Sequence, residues 1–299
     1  MAVEDNTLAP LAIRQSATEA PLGQRRLHAL WSLVMSEPAL RIGICMAIFL
    51  VLFVVLTPFL VRHDPFTTTP DILMPPSWEH LIGTDSVGRD LLARLVPATR
   101  SSVLIALAAT CMTMLIGTAV GVCAGYWGSW IDWLQTRVVD ILLSIPPLLL
   151  TITVIAALGP SVTSLIIVLT LAYVPQTVRL MRAAAAQVVQ REYVSSARIS
   201  GVGAFRTIIV HIIPNIRAVL IVQATVMVAQ IMLIETVLSF LGFGIQPPTP
   251  SLGYMVAEGR QWMEFASWVV LAPGVAIAFA VATFTFIGHG LDQVLSVRS

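Results

Sequence analysis

Long apolar stretches alternate with polar segments along this chain of 299 residues. Four of the apolar stretches lack any Asp, Glu, Lys or Arg and cover residues 42–61, 101–124, 218–234 and 268–291. At about 1.5 Å per helical residue, each is long enough to cross the roughly 30 Å hydrocarbon core of a bilayer. A fifth stretch, at 141–178, is too long for one span and divides at the Gly-Pro pair in 158–161. The pattern therefore predicts six membrane-spanning helices.

The polar segments divide the chain into predicted regions. Residues 1–41 are predicted to form a cytoplasmic N-terminal tail and 42–61 the first span. A loop at 62–100 follows, with several prolines, and it is longer than a simple connector needs to be. Residues 101–292 make up the remaining transmembrane domain, interrupted by a polar segment at 185–215.

Three glycines in the second span predict a close helix contact. Gly117, Gly121 and Gly125 recur every four residues and therefore lie on one face of the helix. Such a face allows another helix to approach closely, although small residues are also common in membrane helices generally.

Composition agrees with a polytopic membrane protein. Hydrophobic residues make up 57% of the chain and charged residues only 11%, and the mean hydropathy is +0.87. Soluble domains carry about 25% charged residues. The three cysteines lie inside apolar stretches, without the spacing of a metal site or a disulfide framework.

Arginine counting predicts the orientation. Six spans place both termini on one side, and the side richer in basic residues faces the cytoplasm. All 17 basic residues are arginine, and the loops on the other side hold Arg62, Arg89, Arg94, Arg100 and Arg260. Since 17 less these five leaves twelve, the termini and the segment at 185–215 are expected to be cytoplasmic.

The segment at 191–215 predicts two short amphipathic helices. Phe205, Ile208, Ile209 and Ile212 recur at helical spacing, and residues 193–197 form an earlier apolar set. Glycines at 201 and 203 separate the two sets. The residues alone leave two alternatives open: helices that bind a partner, or helices that lie on lipid headgroups.

In this segment Ser195-Ser196-Ala197 is followed by three residues, Gly201 and, further on, Pro214. This spacing resembles the EAA loop of bacterial ABC importer permeases. Ser195 stands where the family usually has Glu, so the resemblance places more weight on Ala197 and Gly201 than on a charge. It implies that Tyr193 to Gly203 couples the permease to an ATPase.

Two further motifs resemble the dipeptide/oligopeptide/nickel group of these permeases, specifically its second permease subunit. One is the outer-loop signature formed by Gly83, Thr84, Asp85, Gly88, Arg89 and Asp90, and the other covers residues 241–250. Asp85, Arg89 and Asp90 are expected either to hold the loop against the permease or a solute-binding protein, or to form a salt-bridged turn within it.

The resemblance implies an all-α fold, the transmembrane domain of a type I ABC importer, in the bacterial inner membrane. The implied partners are a second permease forming a heterodimer, two cytoplasmic ATPase subunits, an extracytoplasmic solute-binding protein and membrane lipids. ATP and Mg²⁺ are expected on the ATPase subunits, and this chain is expected to bind no cofactor. Without lysine it has no phosphate-binding loop of the GxxxxGK[ST] kind. No nucleic-acid partner is predicted.

Sparse polar residues in the fifth span are candidates for the translocation path. Gln223 and Gln230 are uncharged, and either path lining or helix-to-helix hydrogen bonding would explain them. Glu235 is the most unusual residue there, because an ionised carboxylate at membrane depth needs water or a partner. Its alternatives are a place in the path and simple exposure at the membrane interface.

Two other classes of protein fit the sequence less well. An ion-driven secondary transporter would carry intramembrane carboxylates or repeated broken helices, and most spans here lack charged centres. A membrane enzyme would need a catalytic arrangement, and no HExxH, Ser/His or Cys/His pattern lies within a span, so no catalytic or metal-binding residues are predicted. Di- or oligopeptides are the expected substrates, with nickel chelates, glutathione and opines as alternatives.

Overall fold

The computed structural model describes residues 37–61 and 63–296, so the predicted tail at 1–41 lies almost wholly outside the described residues. Over the described part the chain is nearly all helix, without a β-strand, which confirms the predicted all-α fold. The helices in chain order are α1 (Pro38–Leu60), α2 (Leu91–Trp127), α3 (Ser129–Leu143), α4 (Pro147–Leu158), α5 (Val162–Val189), α6 (Glu192–Ile199), α7 (Ala204–Thr207), α8 (Arg217–Phe240), α9 (Leu252–Gly259) and α10 (Trp268–Ser296). A π-helical turn, Ile208–Ile212, extends α7, and a 3₁₀ turn, Arg260–Trp262, extends α9.

Five of the described helices, α1, α2, α5, α8 and α10, are long and apolar enough to cross a membrane. The bent pair α3 and α4 makes a sixth crossing if it is counted as one span. The predicted third span is therefore broken, because α3 and α4 meet at 85° around Ser144, Ile145 and Pro146. Proline lacks the amide hydrogen that a helix needs, and it disfavours helical geometry in the residue before it.

The glycine face of α2 packs directly against α5, which confirms the predicted close contact with another helix. A methyl group built on Gly117, Gly121 or Gly125 would lie 2.5 to 2.7 Å from atoms of α5. Residue numbers rise together along this contact, from Gly117 beside Thr177 to Gly125 beside Ala185. The two helices are therefore parallel, and the bent pair α3–α4 carries the chain back between them.

The described chain begins and ends at the same end of the bundle. Gly290 near the end of α10 packs on Leu40 at the start of α1. Trp268, the first residue of α10, packs on Gly83 near the start of α2, so α10 finishes at the end where α2 finishes. Helix α6 lies at that same end, because Arg198 hydrogen-bonds the carbonyl oxygen of Tyr126.

Three of the helices that extend beyond the predicted spans include charged residues that have partners. Helix α2 begins at Leu91 and so includes Arg94, which lies beside Asp85 and Glu258. Helix α5 continues to Val189 past Arg179 and Arg182, which pair with Asp140 and Asp132 of α3. Helix α8 continues from the predicted end at residue 234 to Phe240, and it includes Glu235.

Candidate functional site

Helices α6 and α7 lie at one end of the bundle, which we call the short-helix end. They confirm the prediction of two short helices separated near Gly201 and Gly203. Gly201 has a φ of +77°, a conformation that favours glycine. The Gly201 amide donates to the carbonyl of Arg198 at 3.0 Å and the Val202 amide to that of Ala197 at 3.0 Å. This pair of bonds is a Schellman motif, and it fixes how α6 ends.

Helix α6 is held against the bundle at few points. Val194 is fully buried beneath it. The guanidinium of Arg198 lies over the ring of Tyr126, 4.2 Å from its centroid, at the end of α2. The rings of Tyr193 and His211 lie 6.3 Å apart and connect α6 to the π-helical turn.

The π-helical turn divides the predicted apolar set between two environments. Ile208 and Ile212 are buried in a cluster with Met181 of α5 and Val122 of α2. Phe205 and Ile209 are exposed instead. The prediction of one apolar face fails here because a bond from the Ile213 amide to the Ile208 carbonyl, 2.9 Å long, widens the turn.

Large apolar side chains remain exposed on the short helices. Ile199 is 88% exposed and Phe205 77%, and Tyr193 is also exposed. Ser195 and Ser196 are exposed polar neighbours, whereas Ala197 is partly buried. Ile199 lies within the predicted coupling segment, Tyr193 to Gly203, although it was not named there as a site residue.

Pro214 separates the π-helical turn from α8. It is exposed, and the side chain of its neighbour Asn215 donates to the carbonyl of His211 at 2.6 Å. Ile216 is buried in the same cluster as Ile208 and Ile212. The segment from Ile208 to Ile216 is therefore anchored in the bundle, in contrast to the exposed side chains of α6.

The opposite end of the bundle, which we call the loop end, carries residues 63–90 and α9. Both glycines of the predicted signature adopt backbone conformations that favour glycine. Gly83 and Gly88 have φ values of +89° and +78°. A methyl group on Gly88 would lie 2.0 Å from the carbonyl oxygen of Thr69, so only glycine fits. The hydroxyl of Thr84 accepts from the Met74 amide at 2.8 Å.

Asp85 is the centre of a four-residue charge cluster. Its carboxylate pairs with Arg89, 2.7 Å from Nε, and with Arg94. Glu258 of α9 completes the cluster, with one carboxylate oxygen 2.7 Å from Arg89 and the other 3.0 Å from Arg94. Asp85 and Arg89 therefore form a salt-bridged turn, and the bond from Arg89 to Glu258 also joins the loop to α9 within the permease. Sequence spacing gave no signal for Glu258.

Asp90 caps the N-terminus of α2. One carboxylate oxygen accepts from the Ala93 amide at 2.8 Å. The other lies 2.8 Å from His80 Nδ1 and 3.5 Å from His63 Nδ1. Neither histidine was predicted to belong to a site.

The candidates for the path lie in different surroundings along α8. Gln223 and Gln230 are partly buried. Glu235 is fully buried, and the hydroxyl of Ser239 donates to its carboxylate at 2.8 Å. The predicted alternative that Glu235 is simply exposed at the membrane interface is therefore wrong, because its side chain is buried inside this subunit.

Comparison with known proteins identifies relatives over nearly the whole chain. Residues 117–298 match the family described as binding-protein-dependent transport system inner membrane component. The dipeptide transport system permease DppC of Haemophilus influenzae is 36% identical over 91% of this chain and 95% of its own. DppC of Escherichia coli is 36% identical over 93% of this chain and 95% of its own. A putative peptide transport system permease of Brucella suis is 39% identical over 89% and 90%.

A solved structure shares the fold. The MetNI methionine ABC transporter, in an inward-facing conformation, aligns with a TM-score of 0.55 at 19% identity. The alignment covers 68% of this chain and 96% of that chain. The likeness extends the sequence relationship to the arrangement of the helices.

Proposed function

The chain belongs to the binding-protein-dependent transport system inner membrane components, and from that membership we propose how it carries dipeptides. It is a multi-pass permease subunit of an ABC importer in the inner membrane. The dipeptide permeases to which it is similar cover nearly its whole length, which favours dipeptides as its substrates. A second permease completes the path, and an external solute-binding protein delivers the peptide.

The exposure of apolar side chains on α6 and α7 is the observation that carries the proposed coupling. Ile199 and Phe205 face outward at an end of the bundle, beyond the long apolar helices. Exposed apolar surface that is bordered by polar residues is typical of protein interaction sites. We assign α6 as the helix that docks on a cytoplasmic ATPase subunit, where ATP and Mg²⁺ bind.

The arginine distribution supports the direction of this assignment. The short-helix end carries Arg191, Arg198, Arg206 and Arg217 in or beside the short helices. The positive-inside rule places such an end in the cytoplasm. The loop end, with its charge cluster, then faces the solute-binding protein.

The connections of α6 give a route by which ATPase movement reaches the spans. Arg198 ties α6 to the end of α2 through Tyr126, and the anchored isoleucines tie the following turn to α2 and α5. A docked helix that moves would therefore shift α2 and α5 together, because their glycine contact holds them as one unit. Two arrangements of this unit, biased differently by nucleotide, would give alternating access.

The path is assigned to the interface with the second permease. Gln223 and Gln230 remain candidates for lining it, since both are partly buried on α8. Glu235 is fully buried within the subunit, and we propose that it enters the path only if the helices rearrange.

A cross-linking experiment tests the docking assignment. The three native cysteines are replaced by serine, and Ile199→Cys is introduced into the chain assembled with its partners. A short thiol-reactive cross-linker should join position 199 to the ATPase subunit. Phe265→Cys is the matched control, because Phe265 is 79% exposed but lies next to α10 at the loop end.

The two positions separate the outcomes. Cross-linking from 199 and not from 265 supports the assignment. An ATPase linked only from 265, or a preparation that imports dipeptide with no ATPase subunit, would overturn it. In the same preparation, competition of labelled dipeptide uptake by nickel chelates, glutathione and opines decides among the substrates.

A further inference from the structure

Two histidines and one aspartate meet at the loop end, apart from the charge cluster around Asp85. His63 follows α1, His80 lies in the loop, and Asp90 is the N-cap of α2. Their ligand atoms all lie within 4.8 Å of one another. We propose that these three side chains form a binding site for a divalent transition-metal ion such as Zn²⁺.

The separations are close to those that a metal ion requires. Two ligand atoms bound at about 2.1 Å in tetrahedral geometry lie roughly 3.4 Å apart. Asp90 Oδ2 is 3.5 Å from His63 Nδ1, which is too long for a hydrogen bond, and 2.8 Å from His80 Nδ1. An ion between the three would replace the proton shared by His80 and Asp90. The side chain of His63 is 36% exposed, so its ring has room to turn toward the other two.

The two inner ligands are already oriented by their own contacts. The second oxygen of Asp90 accepts from the Ala93 amide, which turns Oδ2 toward the histidines. The backbone of His80 is fixed by Ser77, whose hydroxyl accepts from the His80 amide at 3.1 Å and whose amide donates to the His80 carbonyl at 2.8 Å. Such supporting contacts are typical of metal sites, because they hold the ligands in place before the ion arrives.

The surroundings favour a cation. The cluster opens into a cavity of about 310 Å³ that is also lined by Asp64, Thr67 and Thr69. Asp64 adds a second carboxylate, and the two threonines add only neutral groups. The nearby arginines Arg89 and Arg94 are engaged by Asp85 and Glu258. Among the described residues that line this cavity none is an arginine or a lysine, so a fourth ligand from Asp64 or water can reach the ion there.

The ligand types select the class of ion. Imidazole nitrogens suit Zn²⁺, Ni²⁺ and Cu²⁺, whereas Mg²⁺ and Ca²⁺ prefer sites made of oxygen alone. Sequence spacing could not reveal this site, because the ligands are 17 and 10 residues apart and belong to an irregular loop. A bound ion would connect His63, shortly after α1, to the N-cap of α2 and hold the loop between them.

The test measures zinc bound by the full chain, purified in detergent or nanodiscs with an affinity tag that contains no histidine. After chelator treatment and dialysis, the wild type should bind about one Zn²⁺ per chain, as measured by competition with a zinc-sensitive dye. Co²⁺ in place of Zn²⁺ should give the visible absorption of a nitrogen- and oxygen-bound ion. Zinc should also raise the temperature at which the chain unfolds.

Three variants make the result decisive. His63→Ala removes a half-exposed ligand, and Asp90→Asn keeps an oxygen that can cap α2 but removes the negative charge. Each should weaken zinc binding by more than about tenfold, the loss seen when even a supporting residue of a metal site is removed. His211→Ala, at the short-helix end, should bind as the wild type does. Equal binding by His63→Ala and the wild type, or no binding by the wild type at micromolar zinc, would overturn the site.

Discussion

The backbone at Gly201 determines how α6 is joined to the rest of the short-helix end. Its φ of +77° permits both bonds of the Schellman motif, while no neighbouring atom lies within 4 Å of where a side chain would begin. A substitution there acts through backbone strain and not through a clash. Residues with a side chain cost about 1–2 kcal/mol in the left-handed region.

Gly201→Ala should therefore loosen the turn and reduce the dipeptide imported for each ATP hydrolysed, while the chain still inserts into the membrane. Gly203→Ala is the matched control, since Gly203 has equal free space but a φ of −61°. Uptake and ATP hydrolysis are measured together in proteoliposomes of the assembled complex. Unchanged coupling in Gly201→Ala would show that the turn does not transmit movement.

Single residues also mark what sequence could and could not predict. Asp85 and Arg89 were predicted as a pair because they lie in one short motif. Glu258, which accepts a hydrogen bond from Arg89, lies 169 residues after it in the chain. Only the packing of α9 brings Glu258 to the loop. Its charge predicted that Arg94 lies in an exposed loop. Arg94 is instead buried in α2, because the carboxylates of Asp85 and Glu258 pair with it.

At the scale of helices, the sequence predicted that α2 makes a close contact but not which helix it contacts. The spacing of three glycines indicated a close approach, but only the fold identified α5 as the partner. The break between α3 and α4 lies inside residues 141–158, which were predicted as one span. Hydropathy reports how apolar a segment is, and it does not report the angle between the helices in it.

Gly121→Ala should separate α2 from α5, because the added methyl group would lie 2.5 Å from the Val178 carbonyl oxygen and 2.9 Å from the Met181 side chain. Overpacking of this kind costs about 1–3 kcal/mol. The temperature at which the detergent-solubilised chain loses its monodisperse peak should fall. Gly274→Ala in α10 is the control, since no atom lies within 4 Å of its added methyl group and its stability should be unchanged. Equal effects at the two positions would contradict the close contact.

At the scale of the whole molecule, the parallel pairing of α2 and α5 organises the topology. Two neighbouring parallel spans need a return crossing between them, and the bent pair α3–α4 supplies it. With that pair counted as one span, the start of α1 and the end of α10 lie together at the short-helix end. The even number of crossings predicted from hydropathy is therefore sufficient to place both described ends together, although it could not show which helices touch.

The orientation of this bundle is the prediction that remains at this scale. In a chain without native cysteines, Ser195→Cys on α6 and Trp78→Cys in the loop between α1 and α2 place one exposed thiol at each end. A membrane-impermeant maleimide added to intact spheroplasts should label position 78 and leave position 195 unlabelled until the membrane is opened. The reason is that the arginine-rich short-helix end is expected to remain in the cytoplasm. Labelling of 195 in intact spheroplasts would reverse the orientation, and α6 could then not reach a cytoplasmic ATPase.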